Sequence, residues 1–187
     1  EGFYYWNGTK WEYLFTDINQ ENLMNQMKYY STNSSAAFTF TRNSPNQFLG
    51  YSAHTSGETL NTSQWTVIPA LTKSIVIDRP QNDLLLNING IYQANNGAAN
   101  NTGGITSTIG FFVNDKLIDV KPLYLDFQSS CSYRQFMIYG IAKNLSPGTH
   151  TVKFAIRNIS APNISGLTVT YGGPNSSCSS LSGFESA

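Results

Sequence analysis

Apolar and polar side chains alternate strictly through Gly148-Thr149-His150-Thr151-Val152-Lys153-Phe154-Ala155-Ile156-Arg157. His150, Val152, Phe154 and Ile156 point one way, and Thr149, Thr151, Lys153, Ala155 and Arg157 the other. Period two is the signature of a half-buried β-strand. Ser146-Pro147-Gly148 feeds it through a turn, because Pro presets φ and Gly tolerates unusual φ. The same rhythm predicts strands over 66–69, 73–78, 84–92, 105–113, 116–120, 135–142, 149–157 and 167–171. In 84–92 the inward set is Leu84, Leu86, Ile88, Gly90 and Tyr92. In 105–113 it is Ile105, Ile109, Phe111 and Val113, followed by a turn at Asn114-Asp115. The stretch 136–142 is apolar on both sides, with Phe136 and Ile138 set against Met137, Tyr139 and Ile141. Such a strand requires cover on both faces, a second sheet on one and a partner or appended segment on the other. Short strands at near-regular spacing, without βαβ alternation, predict an all-β, two-sheet antiparallel β-sandwich. A jelly roll is the first choice. An immunoglobulin-like sandwich is second, since it has fewer strands and its Cys…Trp…Cys arrangement is absent.

The N-terminal portion reads differently. Aromatic runs Phe3-Tyr4-Tyr5-Trp6 and Trp11-Glu12-Tyr13-Leu14 flank Asn7-Gly8, and Asn-Gly favours a type I′ hairpin turn. Residues 17–30 follow with Asp17 and Gln20 at capping-box spacing and Leu23, Met27 and Tyr30 on one helical stripe, which predicts one short helix. The expected organisation is a hairpin-plus-helix attachment element over 1–30, a linker with possible edge strands (36–41 and 48–54) over 31–64, and a jelly-roll sandwich over 65–187.

Composition narrows the class. Charged residues make up 12% of the 187, about half of the usual ~25%, and eleven basic residues balance eleven acidic ones. No net field draws the chain to nucleic acid or an anionic membrane. Asn, Ser, Thr and Gln supply the surface polarity instead, in keeping with a secreted, extracellular or cell-surface protein. Eleven Tyr, eleven Phe and three Trp argue against disorder. No apolar run approaches the ~18 residues of a membrane span. The opening Glu1-Gly2-Phe3, without Met, suggests a mature form or an excised piece. Two cysteines, Cys131 and Cys178, are expected to form a disulfide in an exported chain, closing a loop worth about 4 kcal/mol; two separate thiols are the alternative.

The chemistry-bearing residues are sparse. No Gly-x-Ser-x-Gly elbow occurs. His150 lies in the apolar register of a strand and reads as a satisfied sheet residue, and His54 as a surface residue. Asp115, Asp119 and Asp126 sit beside turns without a calcium-loop pattern. No catalytic residue, metal site or cofactor is assigned, and the chain is read as not an enzyme. Sugar recognition combines an aromatic face with neutral amides and hydroxyls. Its candidates are Tyr92 with the loop from Gln93 to Asn101, including Asn95 and Asn96, and Tyr124 with Gln128 and Tyr133; the plainer reading packs Tyr92 in the core and leaves the Asn-rich loop solvated.

The segment "GFYYWNGTKWEYL" resembles a short element of Bacteroidota surface proteins. The stretch from Trp65-Thr66-Val67-Ile68-Pro69 through "LSPGTHTVKFAIRN" resembles jelly-roll heads of the tumour-necrosis-factor/C1q-like type at the ends of bacterial and phage fibres. These resemblances imply a non-enzymatic extracellular adhesion or assembly domain of a surface or fibre protein. Its partners would be further copies of itself, in a homotrimer, or a host or parent surface protein. Tyr4, Trp6 and Trp11 of the hairpin, and Met137, Tyr139 and Ile141, would supply the contacts. A lectin-like carbohydrate-binding module is the alternative, with a glycan as partner.

Overall fold

The computed structural model describes residues 4–13, 27–32, 38–41, 54–95, 104–126, 131–160, 168–173 and 178. The chain divides into two compact units, Glu1–Ser31 and Thr32–Ala187.

In the first unit, β1 (Tyr4–Trp6) and β2 (Trp11–Tyr13) form an antiparallel hairpin, with Trp6 opposite Trp11 and Tyr4 opposite Tyr13. The two indoles meet edge to face at 5.8 Å, an arrangement favoured by the ring quadrupoles. The turn is not type I′, which would need positive φ at both Asn7 and Gly8; only Gly8 has it, at 96°. Asn7 shapes the turn through its side chain instead: its Oδ1 accepts from the Thr9 and Lys10 amides, each at 2.9 Å. Most of the expected helix over 17–30 lies outside the described residues, and 27–32 carry no helical structure. The expected strand over 48–54 likewise lies almost wholly outside them.

The second unit is a β-sandwich built from β3 (Phe38–Thr41), β4 (Thr66–Val67), β5 (Lys73–Ile77), β6 (Asp83–Asn95), β7 (Gly104–Val113), β8 (Lys116–Asp126), β9 (Tyr133–Lys143), β10 (Gly148–Ser160) and β11 (Thr168–Tyr171). One sheet runs β4-β10-β7-β8, with β5 also paired to β10, and the other runs β3-β11-β6-β9. Every pairing is antiparallel. From β5 onward the chain changes sheets at each connection except the β7–β8 turn, and β10 and β11 return to lie inside earlier strands. That winding is a jelly roll. Residues 32–64, expected as linker, contribute β3 and a strap described below, so the sandwich begins well before Trp65. Strand β8 runs through Pro122 to Asp126, beyond the expected end at Val120, and β6 runs to Asn95.

The alternation dictates the core. Leu86, Ile88 and Ile138 from one sheet face Ile109, Phe111, Phe154 and Ile156 from the other, all buried. Phe111 and Phe154 pack edge to face at 4.9 Å. Asn114 and Asp115 both take positive φ, at 50° and 61°, which closes the two-residue β7–β8 turn. His150 braces this end. Asn114 Oδ1 accepts from the Thr151 amide (3.0 Å), Asn114 Nδ2 lies 2.8 Å from His150 Nδ1, and His150 Nε2 lies 2.7 Å from the Ser146 carbonyl oxygen. The first contact orients the Asn114 amide so that Nδ2 donates to the ring, which leaves Nε2–H to donate to Ser146.

A second apolar cluster lies on the outer side of the β10-β7-β8 sheet. The strap over 54–68 laces onto the start of β8: the Gly57 amide donates to Leu117 O (2.7 Å), the Leu117 amide to Glu58 O (2.9 Å), and the Leu60 amide to Asp115 O (2.8 Å). It lays Trp65 over Phe112, Leu117 and Ala155, with Trp65 and Phe112 rings 5.3 Å apart. Gly110 makes room beneath it, since a Cβ there would sit 2.7 Å from the Phe112 ring and 3.0 Å from that of Trp65. The strap corrects two expectations. Ala155 and Arg157, on the polar side of the β10 alternation, are buried. His54 is not a surface residue: its ring packs 5.2 Å from that of Trp65, and Nδ1 lies 3.0 Å from Glu58 Oε1. Burial pushes the Glu58 carboxyl upward. Hydrogen bonds from His54 and the Thr55 amide, with the charges of His54 and Arg157, outweigh that and hold it below the usual range.

Candidate assembly surface

Strands β6 and β9 pair in one unbroken register from Asp83–Lys143 to Gln93–Tyr133. Its even positions face the core. On the odd, outward positions Leu85 lies opposite Ile141, Asn87 opposite Tyr139 and Asn89 opposite Met137. Leu85 is 64% exposed, Met137 60%, Ile141 52% and Tyr139 49%. The Tyr139 hydroxyl donates to Met137 Sδ at 2.6 Å. The patch carries no charge; Asp83 and Lys143 lie opposite one another at its end. Along β6, strand β11 reaches only the Tyr92–Asn95 end, and no described residue covers the Leu85–Ile141 pair. Leu85 was not among the residues nominated from sequence. The signal was present, since Leu85 falls between the inward Leu84 and Leu86 and must point out.

Beside the patch, the edges of β8 and β9 bound an open groove of about 550 Å³ lined by Lys121, Pro122, Leu123 and residues 135–139. The Lys121 ammonium is held by Asp119 at 2.9 Å.

The sugar-site candidates do not converge. Tyr92 is 2% exposed, stacked on Tyr171 with ring centroids 6.1 Å apart, and its hydroxyl donates to the Tyr124 carbonyl. Burial pushes its pKa up to about 12 against the pull of the Arg134 charge. It is a core residue, closed to a ligand. Tyr124 lies opposite Thr106 on the outer side of one sheet, and Tyr133 opposite Gln93 on the outer side of the other. Both are exposed, but they point away from each other. The Tyr124 hydroxyl donates to Asp126 at 3.0 Å, which raises its pKa. Asn95 is the last residue of β6 rather than a loop residue, and Asn96 and Gln128 are outside the described residues. Tyr4, Trp6 and Trp11 are exposed within their own unit. Asp115 pairs with Lys153 at 2.7 Å. Among the described residues, no group of three or more His, Cys, Asp or Glu side chains is placed to hold a metal.

Cys131 and Cys178 form a disulfide, with Cα atoms 5.8 Å apart. It closes the end of the β3-β11-β6-β9 sheet, where Gln93 is buried and its Nε2 donates to the Cys131 carbonyl at 3.0 Å. Among the described residues no helix is long and apolar enough to cross a membrane.

Fold and surface together define a disulfide-closed jelly-roll sandwich with one apolar sheet face that no described residue covers. No protein-family model matches the chain, and no curated protein matches it in sequence.

Proposed function

We propose that this chain is a non-enzymatic extracellular adhesion or assembly domain of a bacterial surface or fibre protein, which self-associates through β9. The observation that carries the reading is the open Leu85–Ile141 and Met137–Tyr139 surface. Burying a side chain of this size is worth roughly 1.5–3 kcal/mol, and uncovered contiguous apolar patches mark interaction sites. The disulfide and the neutral, amide-rich surface support an exported setting. The jelly-roll-head likeness implies three copies, and the exposed hairpin aromatics Tyr4, Trp6 and Trp11 would attach the domain to its parent or host surface. Native mass by light scattering over a concentration series tests this. An assembled wild type, and a Met137→Lys/Ile141→Lys variant reduced to single chains with its fold intact, are the expected outcomes. A wild type that stays a single chain at every concentration refutes the reading.

The groove between β8 and β9 favours a second reading, lectin-like glycan binding. Gln135, Tyr139 and Lys121 line it beside apolar Pro122 and Met137, and its volume falls in the ~300–1,000 Å³ range of ligand sites. A glycan array probed with the wild type and with Gln135→Ala separates the two: saccharide binding lost in the variant supports it, and an empty array removes it.

A further inference from the structure

The four outer edges of the two sheets are not treated alike. Strand β3 has four residues, and β4 has two and leads into Pro69. Strand β5 has five and begins at the exposed Lys73. Strand β8 is interrupted: it carries Pro122, its register with β7 slips at Phe111/Phe112, Lys121 and Asp119 pair within it, and the strap occupies its first residues. Short strands, prolines, bulges and charges are the means by which sheets blunt an open edge. Strand β9 runs eleven residues with no proline and no slip, its charges are confined to Arg134 and Lys143 near its ends, and no described strand pairs with its outer edge.

The ladder also fixes which backbone groups that edge presents. The Ala94 amide donates to Ser132 O (3.0 Å) and the Asn144 amide to Asn82 O (2.9 Å). Hydrogen-bonded pairs in the β6–β9 register therefore fall on the even residues. Arg134, Phe136, Ile138, Gly140 and Ala142 turn their amides and carbonyls to β6. Gln135, Met137, Tyr139 and Ile141 turn theirs outward, and these same residues carry their side chains on the open face.

We infer that β9 pairs antiparallel with β9 of a second copy about a two-fold axis at Ile138, joining the two β3-β11-β6-β9 sheets into one. This rests on the self-association reading and specifies its partner surface, with two copies in place of three. In this register Met137 meets the partner's Tyr139, Gln135 the partner's Ile141, and Tyr133 the partner's Lys143. Arg134 meets the partner's Ala142, so no like charges are opposed. The outward side chains become cross-strand pairs, the unit of sheet stabilisation. An isologous contact of this kind closes at two chains.

Replacing an edge-facing residue by proline removes an outward N–H and leaves every β6–β9 bond in place. Sedimentation and light scattering of wild type, Tyr139→Pro and Gln135→Pro test the inference. The expected result is a wild-type dimer and two proline variants whose association weakens about tenfold or more while their circular dichroism is unchanged. Gln135→Pro decides the matter if Tyr139→Pro fails to fold. A wild-type trimer, or a dimer untouched by the prolines, overturns the strand pairing and leaves self-association standing. A wild type that remains a single chain overturns both.

Discussion

The two sheets of this sandwich each carry apolar side chains on their outer face, and the chain deals with them in opposite ways. Over β7, β8 and β10 it lays the 54–68 strap, seals Trp65 against Phe112, Leu117 and Ala155, and keeps Gly110 bare to let the indole in. Over β6 and β9 no described residue covers Leu85, Met137, Tyr139 and Ile141. The sealed face contributes to the stability of the single chain. Among the described residues the open face has no counterpart to that seal. An outward apolar residue is thus read as structural or as a contact according to whether its own chain reaches it.

Opening the sealed face should have the largest effect. Trp65→Ala removes the strap's anchor and is expected to cost about 3–5 kcal/mol, read as a lowered Tm and a lowered denaturant midpoint. Next comes the disulfide, which holds the closed end of the other sheet. Cys131→Ser with Cys178→Ser should cost about 2–4 kcal/mol by freeing the unfolded chain, with denaturant midpoints under oxidising conditions as the check.

Smaller effects come from the tyrosines behind that end. Below pH 10 Tyr92 is neutral both folded and unfolded. Between pH 10 and about 12 the unfolded chain releases its proton while the folded one retains it. Stability is therefore complete below pH 10 and falls as pH rises towards 12. Burial raises the pKa of Tyr171 too, so it acts in the same direction. Melting temperatures across this range should fall less steeply for Tyr92→Phe than for wild type. Smallest of all, Leu85→Ala on the open face should change single-chain stability by no more than about 0.5 kcal/mol. A loss on the scale of Trp65→Ala would mean that the two faces are alike after all.

The period-two stretches were legible because side-chain parity alone decides which residues face a core. Hence the inward sets of β6 and β10, Ile109, Phe111 and Val113 of β7, the double-sided character of β9 and the jelly-roll class could be read directly. Parity does not say what lies outside a sheet. Trp65 stood as a lone aromatic ahead of a short strand, and nothing local revealed that it folds back over β7 and β10. Ala155, Arg157 and His54 were misjudged for that reason. Strand β8 continues past its expected end at Val120 through Pro122, as an edge strand tolerates a proline whose missing N–H would face solvent. In the hairpin, Asn7-Gly8 correctly marked a turn, but the Asn7 side chain rather than its backbone does the shaping. Of the candidate site, β9 was legible through Met137, Tyr139 and Ile141. Leu85 became visible only when register set it opposite Ile141. Of the tyrosine candidates, parity sends Tyr92 inward, and register sends Tyr124 and Tyr133 to opposite sides.

Native mass over a concentration series, comparing wild type with Met137→Lys/Ile141→Lys, tests the open face most directly. The expected result is a wild type heavier than the single chain's 20.7 kDa and a folded variant that returns to it. A wild type at 20.7 kDa throughout the series, indistinguishable from the variant, would contradict the claim that this face is kept for another copy.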